Sequence, residues 1–110
     1  MASEYKILGQ SAPASTANAD LFTVTSAHSF VISSLVIANV TTTAATARVF
    51  ARIAGATAAV SNAILYDVSV PASSTATFSL GMTLAATDVV TVQTGTSSAL
   101  TFTAFGSDVS

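Results

Sequence analysis

The chain has 110 residues, of which 51% are hydrophobic and 7% charged, with no cysteine and a net charge of −2. This length fits one domain, the lack of cysteine excludes disulfides and thiolate metal sites, and no apolar run approaches the roughly 18 residues of a spanning helix. We therefore expect a soluble protein with no membrane partner and no usual secretion signal. We expect no nucleic-acid partner either, because the chain has only three cationic residues, Lys6, Arg48 and Arg52, to neutralise phosphates.

The first 20 residues are predicted to form an N-terminal strand or arm, ahead of a sandwich domain over residues 21–110. Tyr5, Ile7 and Leu8 lie in a short extended segment, and residues 10–20 are small and polar, with Pro13 among them. Such a composition buries too little apolar area to fold alone. A mobile tail, an arm along a neighbouring chain and an edge strand of the chain's own sheet all stay open.

Two strands are predicted over the next 20 residues. Residues 21–24 form a short strand candidate, in which Phe22 and Val24 share one face. Residues 30–40 form the longest apolar run, and their β-branched content favours a strand buried on both faces. Ser33 and Ser34, in the middle of that run, predict a bulge or a bend.

Alternation resumes over residues 46–54. Val49 and Ile53 are predicted to face the core. Arg48, Phe50 and Arg52 are predicted to point outward, where the arginines could stack on a partner or form ion pairs with it.

The stretch over residues 64–92 contains the clearest period-two patterns of the chain. The first run places three side chains on one face: Tyr66, Val68 and Val70. The second run places four side chains on one face of its own strand: Phe78, Leu80, Met82 and Leu84. Residues 71–74, which begin with Pro71, favour a chain reversal, so a hairpin is predicted. A turn at residues 85–88 then leads to a short β-branched strand.

Leu100, Phe102 and Ala104 alternate with threonines in a last strand. Seven or eight strands with no convincing helix predict an all-β fold, an antiparallel β-sandwich of the immunoglobulin-like or jelly-roll-like kind. The core is predicted to consist of Ile32, Val36, Val49, Ile53, Val68, Phe78, Leu80, Val90, Val92 and Phe102.

No residue pattern indicates catalysis, a metal site or a cofactor. His28, the one histidine, lies in a predicted turn with no acidic residue nearby in sequence, as a general base would need. The four aspartates lie near strand ends, where they commonly cap turns: Asp20, Asp67, Asp88 and Asp108. They lack the close spacing of a calcium loop, and the glycosylation pattern Asn39-Val40-Thr41 is interpreted as a chance match. The chain is predicted not to be an enzyme.

The low charge itself predicts partners. About 25% of residues are charged in ordinary soluble domains, so Ser, Thr and Ala must fill most outward positions here. A net charge of −2 gives weak self-repulsion. We infer that other protein chains cover much of the surface.

Four segments carry a resemblance to a known family: EYKILGQSAPASTANADLFTV, ILYDVSV, TFSLGMTLAATDVVTV and ALTFTAFGS. Through them the chain resembles small Ala/Ser/Thr-rich virion structural proteins of tailed bacteriophages, of the type found in cyanophages and marine phages. The resemblance implies an all-β component of the virus particle, assembled in the host cytoplasm and present in many copies.

Three functions follow as hypotheses. The first is a capsid decoration or cement protein, homo-oligomeric and bound to the major capsid protein. The second is a neck, tail or fibre-attachment subunit. The third is a receptor- or glycan-binding module, which an exposed Tyr66 beside polar loops would favour. The candidate interface residues are Tyr5, Ile7, Leu8, Arg48, Phe50, Arg52 and Phe105.

Overall fold

The computed structural model describes residues 4–109, together with their side chains except those of Glu4 and Leu80. It contains eight strands and two short 3-10 helices, Ile53–Gly55 and Val60–Asn62. The strands are β1 (Glu4–Ser11), β2 (Ala19–Thr23), β3 (Phe30–Asn39), β4 (Ala45–Arg52), β5 (Ala63–Val70), β6 (Thr75–Leu84), β7 (Val89–Thr94) and β8 (Leu100–Asp108).

The strands form two antiparallel sheets of four strands each. Sheet A has the order β1-β8-β3-β6, and sheet B has the order β2-β7-β4-β5. All connections cross from one sheet to the other except the one between β4 and β5, which are neighbours in sheet B. This order is that of a jelly roll, in which two Greek keys wrap two sheets around one core. The predicted all-β sandwich is confirmed, and the strand order is jelly-roll-like.

The core lies between the sheets and is made of alternate side chains from both. Ile32, Val49, Val90, Val92 and Phe102 are fully or almost fully buried, as predicted. Core side chains that the prediction omitted include Leu21, Val24, Phe30, Leu35, Ile37, Val70, Leu84 and Leu100.

A bulge in the middle of the β3–β6 and β3–β8 pairings explains one error in the predicted core. The pairing register shifts between Ile32 and Ser34, where the serine pair predicted a bulge. Because an added residue reverses the faces beyond it, Leu35 is buried and Val36 is only partly buried. The expectation that Ile32 and Val36 face the core together was wrong for this reason.

The predicted hairpin between β5 and β6 is also wrong. Residues 71–74 do reverse the chain, and Ser74 N–H donates to the Pro71 carbonyl. However, β5 pairs with β4 in sheet B and β6 pairs with β3 in sheet A. The turn therefore connects two sheets, which is a long-range property that local turn chemistry does not reveal.

A second bulge, in β5, turns Tyr66 away from the predicted face. Ala47 pairs with Val68 and Val49 with Leu65, so Tyr66 and Asp67 together lie opposite Arg48. Asp67 has a φ of 55°, a left-handed conformation that an aspartate tolerates better than a β-branched residue would. Tyr66 consequently points to solvent, with 47% of it exposed.

The remaining core predictions have mixed outcomes. Ile53 was wrongly placed in the core: β4 ends at Arg52, and Ile53 begins a 3-10 helix with 78% of its surface exposed. Val68 is partly buried. Phe78 is partly buried too, and it packs against the core. The side chain of Leu80 lies outside the described residues.

The N-terminal segment is part of the sandwich. β1 pairs antiparallel with β8 as an edge strand of sheet A, one of the three placements left open by the sequence. The register shifts between Ile7 and Gly9, and β1 packs against β2 of the other sheet. The predicted boundary at residue 20 falls inside β2, so residues on both sides of it contribute strands to the sheets.

Candidate interaction surfaces

The outer face of sheet A has no charged side chain along β3, β6 and β8, apart from Asp108 at the very end of β8. Its members are the residues that alternate with the core on these strands, and they are wholly or partly exposed. They are Thr101, Thr103, Phe105, Val31, Ser34, Val36, Ala38, Thr75, Thr77, Ser79 and Thr83. We call this set the neutral face. Hydroxyls that find new hydrogen-bond partners and small apolar groups cost much less to bury than ions do.

Apolar side chains stand at the β1 end of the neutral face. Tyr5 is 83% exposed, and Ile7 pairs in register with Phe105, both of them exposed. These three side chains line a depression of about 320 Å³ together with Lys6, Ser33 and Gly106. The structure thus brings together three of the predicted interface residues, Tyr5, Ile7 and Phe105. The fourth from this region, Leu8, packs against the core instead.

On the outer face of sheet B, Arg48 is held by two neighbours from β5. Its Nε lies 2.6 Å from Asp67 Oδ1 and its Nη2 lies 3.2 Å from Asp67 Oδ2. Its guanidinium also stands 4.1 Å from the ring centroid of Tyr66. The bulge makes this geometry, because it directs the aromatic ring and the carboxylate to the same side. The hydrogen bond from Arg48 lowers the pKa of the Asp67 carboxyl below its ordinary value.

Arg52 is tied into the fold more firmly. Its guanidinium donates to Asp20, to the Thr91 hydroxyl and to the carbonyls of Gly55 and Ala56. These bonds anchor the segment after β4 to β2 and β7. Arg52 therefore has a structural role, because its guanidinium is hydrogen-bonded within the fold and needs no partner chain.

Phe50 corrects the predicted outward face of β4. It does lie between Arg48 and Arg52 in sequence, but only 4% of it is exposed. Phe50 lines a depression with Ala58, Ala59 and Val60 of the segment that follows β4. Residues 58–60 lie beside Phe50 at this depression, and Phe50 itself presents almost no surface to solvent. Sequence alternation reports the face of a strand but not a loop that folds over it.

Two shallow depressions meet at Arg48 and Gln93 on this face. One, of about 260 Å³, is lined by Thr16, Thr46, Arg48, Asp67, Gln93, Thr94 and Gly95. The other, of about 320 Å³, is lined by Asn18, Arg48, Phe50, Ala58, Ala59, Val60, Tyr66 and Gln93. The depressions combine a half-exposed aromatic ring with amide, hydroxyl, guanidinium and carboxylate groups.

The residues considered for chemistry have structural partners. His28 Nδ1 lies 3.1 Å from Asp108 Oδ2, a pairing across 80 residues of sequence that joins the turn after β2 to the end of β8. Asp88 accepts from the N–H groups of Ala54 and Ala85, in the turn-capping role predicted for aspartates.

Asn39 is buried and donates through Nδ2 to the carbonyls of Thr43 and Val70. Its side chain is therefore inaccessible in the folded chain. Within residues 4–109 no three His, Cys, Asp or Glu side chains are grouped to hold a metal ion. In the same range no helix is long and apolar enough to cross a membrane.

Comparison with known proteins gives no match by any of three routes. No protein-family model matches the chain, and neither a curated protein nor a solved structure matches it significantly.

Proposed function

We propose that the chain is a virion structural protein, and that it decorates and cements a capsid of the tailed-bacteriophage kind through protein–protein contacts. The observation that carries the proposal is the neutral face with its exposed Tyr5, Ile7 and Phe105. The resemblance of the sequence to small phage virion proteins supports the setting. Jelly rolls are common among viral capsid proteins, although the fold alone does not assign a function.

The proposed mechanism is burial of the neutral face against the major capsid protein. Tyrosine and other large side chains dominate the energetics of interfaces when neighbouring contacts exclude water. Tyr5, Ile7 and Phe105 form such a cluster, and the hydroxyl-bearing strands beside them form the surrounding contacts. Each copy contributes a modest affinity. A homo-oligomer that contacts several capsid proteins binds more tightly, because after the first contact the linked copies bind at high effective concentration.

A location at the neck, the tail or a fibre attachment would use the same face and differs only in the partner. Immunolabelling of intact particles separates the two locations. Label over the whole shell supports the decoration role, whereas label confined to one vertex or to the tail contradicts it.

Binding to purified capsids tests the proposal directly. Capsids that carry the protein should withstand higher temperature than capsids without it, and Ile7→Ser should weaken binding. Full burial of an exposed isoleucine contributes about 1.5–3 kcal/mol. Because 53% of Ile7 is exposed in the single chain, about half of that is gained on binding, and a loss of about fourfold to tenfold in affinity is expected.

Ile53→Ser is the matched control, because Ile53 is equally apolar and highly exposed but lies outside sheet A. It should bind as the unchanged protein does. Equal thermal resistance of capsids with and without the protein would contradict the decoration role. Equal effects of the two substitutions would contradict the assignment of the face.

A glycan-binding module is a second candidate, favoured by the half-exposed Tyr66 beside the two polar depressions of sheet B. An aromatic ring next to planar polar side chains suits a sugar, which has one apolar and several hydroxylated sides. Lectin domains also include jelly rolls. NMR titration with a panel of neutral oligosaccharides tests this candidate. Shifts confined to Tyr66 and Gln93, and lost in Tyr66→Ala, would support it, and an unchanged spectrum would remove it.

A further inference from the structure

The four edge strands of the sandwich differ in how they are protected against pairing with other chains. Exposed edges have unpaired backbone groups, and natural sheets protect them with charges, bulges, proline or short length. β1 contains Glu4 and Lys6 and has a bulge, and it packs against β2. β2 has only five residues, with Asp20 among them, and its register also shifts.

The two edges on the other side of the sandwich are β5 and β6. β5 contains the Asp67 bulge and is followed directly by Pro71. β6 is ten residues long, TATFSLGMTL, with no charge and no proline. Its one irregularity is a bulge at residues 80–81, which together lie opposite Ser33 of β3, and Gly81 there has a φ of 35°. Residues 75–79 of β6 are regularly paired with β3 and unprotected on their outer side.

We propose that residues 75–79 of β6 pair antiparallel with the same segment of a second copy, which joins two A sheets into one eight-stranded sheet across a two-fold axis at Thr77. The inference rests on the proposed function for its setting, a shell of repeated copies, but its geometry stands on this strand alone. A contact of this isologous kind closes on itself and yields dimers, not fibres.

The segment is complementary to itself. About an axis at Thr77, Thr75 faces Ser79 of the second copy, and Thr77 faces its own equivalent. All three are exposed on the neutral face, where threonine and serine hydroxyls form favourable cross-strand pairs. On the core side, small Ala76 faces large Phe78 of the second copy, and both are only partly buried in the single chain. Pairing would cover their remaining exposed surface.

Charge and length favour a second copy over a different chain. Neither β6 nor its neighbour β3 contains a charged residue, so two copies bring no like charges together. The bulge at residues 80–81 and the turn at residues 71–74 limit pairing to one short window, which selects a single register. Such a contact buries less than the about 1,200–2,000 Å² of a standard interface, so we expect a dimer that forms between about 10 µM and about 1 mM.

Cysteine cross-linking tests the pairing and its register, since the chain has no cysteine of its own. Residues directly opposite in an antiparallel pair have Cα atoms about 4.5–5.5 Å apart, within the range that a disulfide spans. Thr77→Cys should therefore oxidise to a covalent dimer at least about tenfold faster than two controls. The controls are Thr75→Cys, whose two copies would lie about 14 Å apart along the strands, and Ser69→Cys on β5.

Sedimentation of the unlinked protein gives an independent readout. Thr77→Lys should abolish the concentration-dependent dimer, and Ser69→Lys, an exposed position on the protected edge strand β5, should leave it intact.

A monomer at about 1 mM, or Thr77→Cys that cross-links no faster than Ser69→Cys, would overturn the inference. Cross-linking of Thr77→Cys only to a capsid protein would also overturn it, in favour of a different strand at this edge. Dimerisation and capsid binding are measured separately, so failure of the pairing is distinguished from failure of the proposed function.

Discussion

Asn39 is the buried polar side chain that fastens the end of β3 to the end of β5. Nδ2 lies 2.9 Å from the Thr43 carbonyl and 3.0 Å from the Val70 carbonyl, and Oδ1 accepts from both the N–H and the hydroxyl of Thr41. Asn39→Ala leaves these groups without their partner, so a loss of about 1–3 kcal/mol in the free energy of unfolding is expected. Urea unfolding checks this. Thr42→Ala, at an exposed position in the loop after β3, is the control and should be near neutral.

Asp67 and Arg48 predict a small dependence of stability on pH. The folded-state pKa of Asp67 is lowered by the hydrogen bond from Arg48, so the pair stabilises the fold above the ordinary aspartate pKa of about 3.9. This contribution is lost as the pH falls below that value through the folded-state pKa. An NMR titration of the Asp67 carboxyl should show the low pKa, and Arg48→Gln should raise it. An unchanged pKa in Arg48→Gln would contradict the assigned cause.

At the scale of the elements, sequence patterns identified most strands and missed how they connect. Alternation in β8 placed Leu100, Phe102 and Ala104 on one face of the strand, and all three are buried, because no bulge interrupts the pattern there. In β3 and β5 a single added residue reversed the faces, which moved Val36 and Tyr66 outward. A bulge is a property of two paired strands, so one strand's sequence shows it only through hints such as the serine pair in β3.

Part of the candidate surface was likewise accessible from sequence. Tyr5, Ile7 and Phe105 were predicted as interface residues, and the structure places them in one depression because β1 pairs with β8. Whether they bind a partner stays a prediction. The pairing of His28 with Asp108, 80 residues apart, and the burial of Phe50 depend on the tertiary fold. No local signal in the sequence indicates them.

Close contact between β8 and β3 makes Gly106 a sensitive position. A Cβ added there would collide with the Val31 carbonyl and the Ile32 backbone, neither of which can move without disturbing the centre of sheet A. Gly106→Ala should therefore cost about 1–3 kcal/mol or more of stability, measured by thermal unfolding. Thr103→Ala on the same strand, where the side chain points outward, should stay within about 0.5 kcal/mol. Equal effects would contradict the close approach.

At the scale of the whole molecule, the arginines and aspartates have partners within the fold. All four aspartates of the chain have a partner in it: Arg52 for Asp20, Arg48 for Asp67, backbone N–H groups for Asp88 and His28 for Asp108. Sheet A is left with a broad uncharged face, and β6 with an uncharged edge. Burial of this face against another chain would require no unpaired ion to leave water, which is costly.

The two tyrosines of the chain allow a direct test of this account, because they report on opposite sheets. Tyr5 borders the neutral face of sheet A and Tyr66 stands on sheet B, and both are exposed in the single chain. Hydroxyl-radical footprinting should modify both in the isolated protein. On particles that carry the protein, we expect Tyr5 to become protected while Tyr66 stays reactive. A Tyr5 as reactive on the particle as in free solution would contradict it.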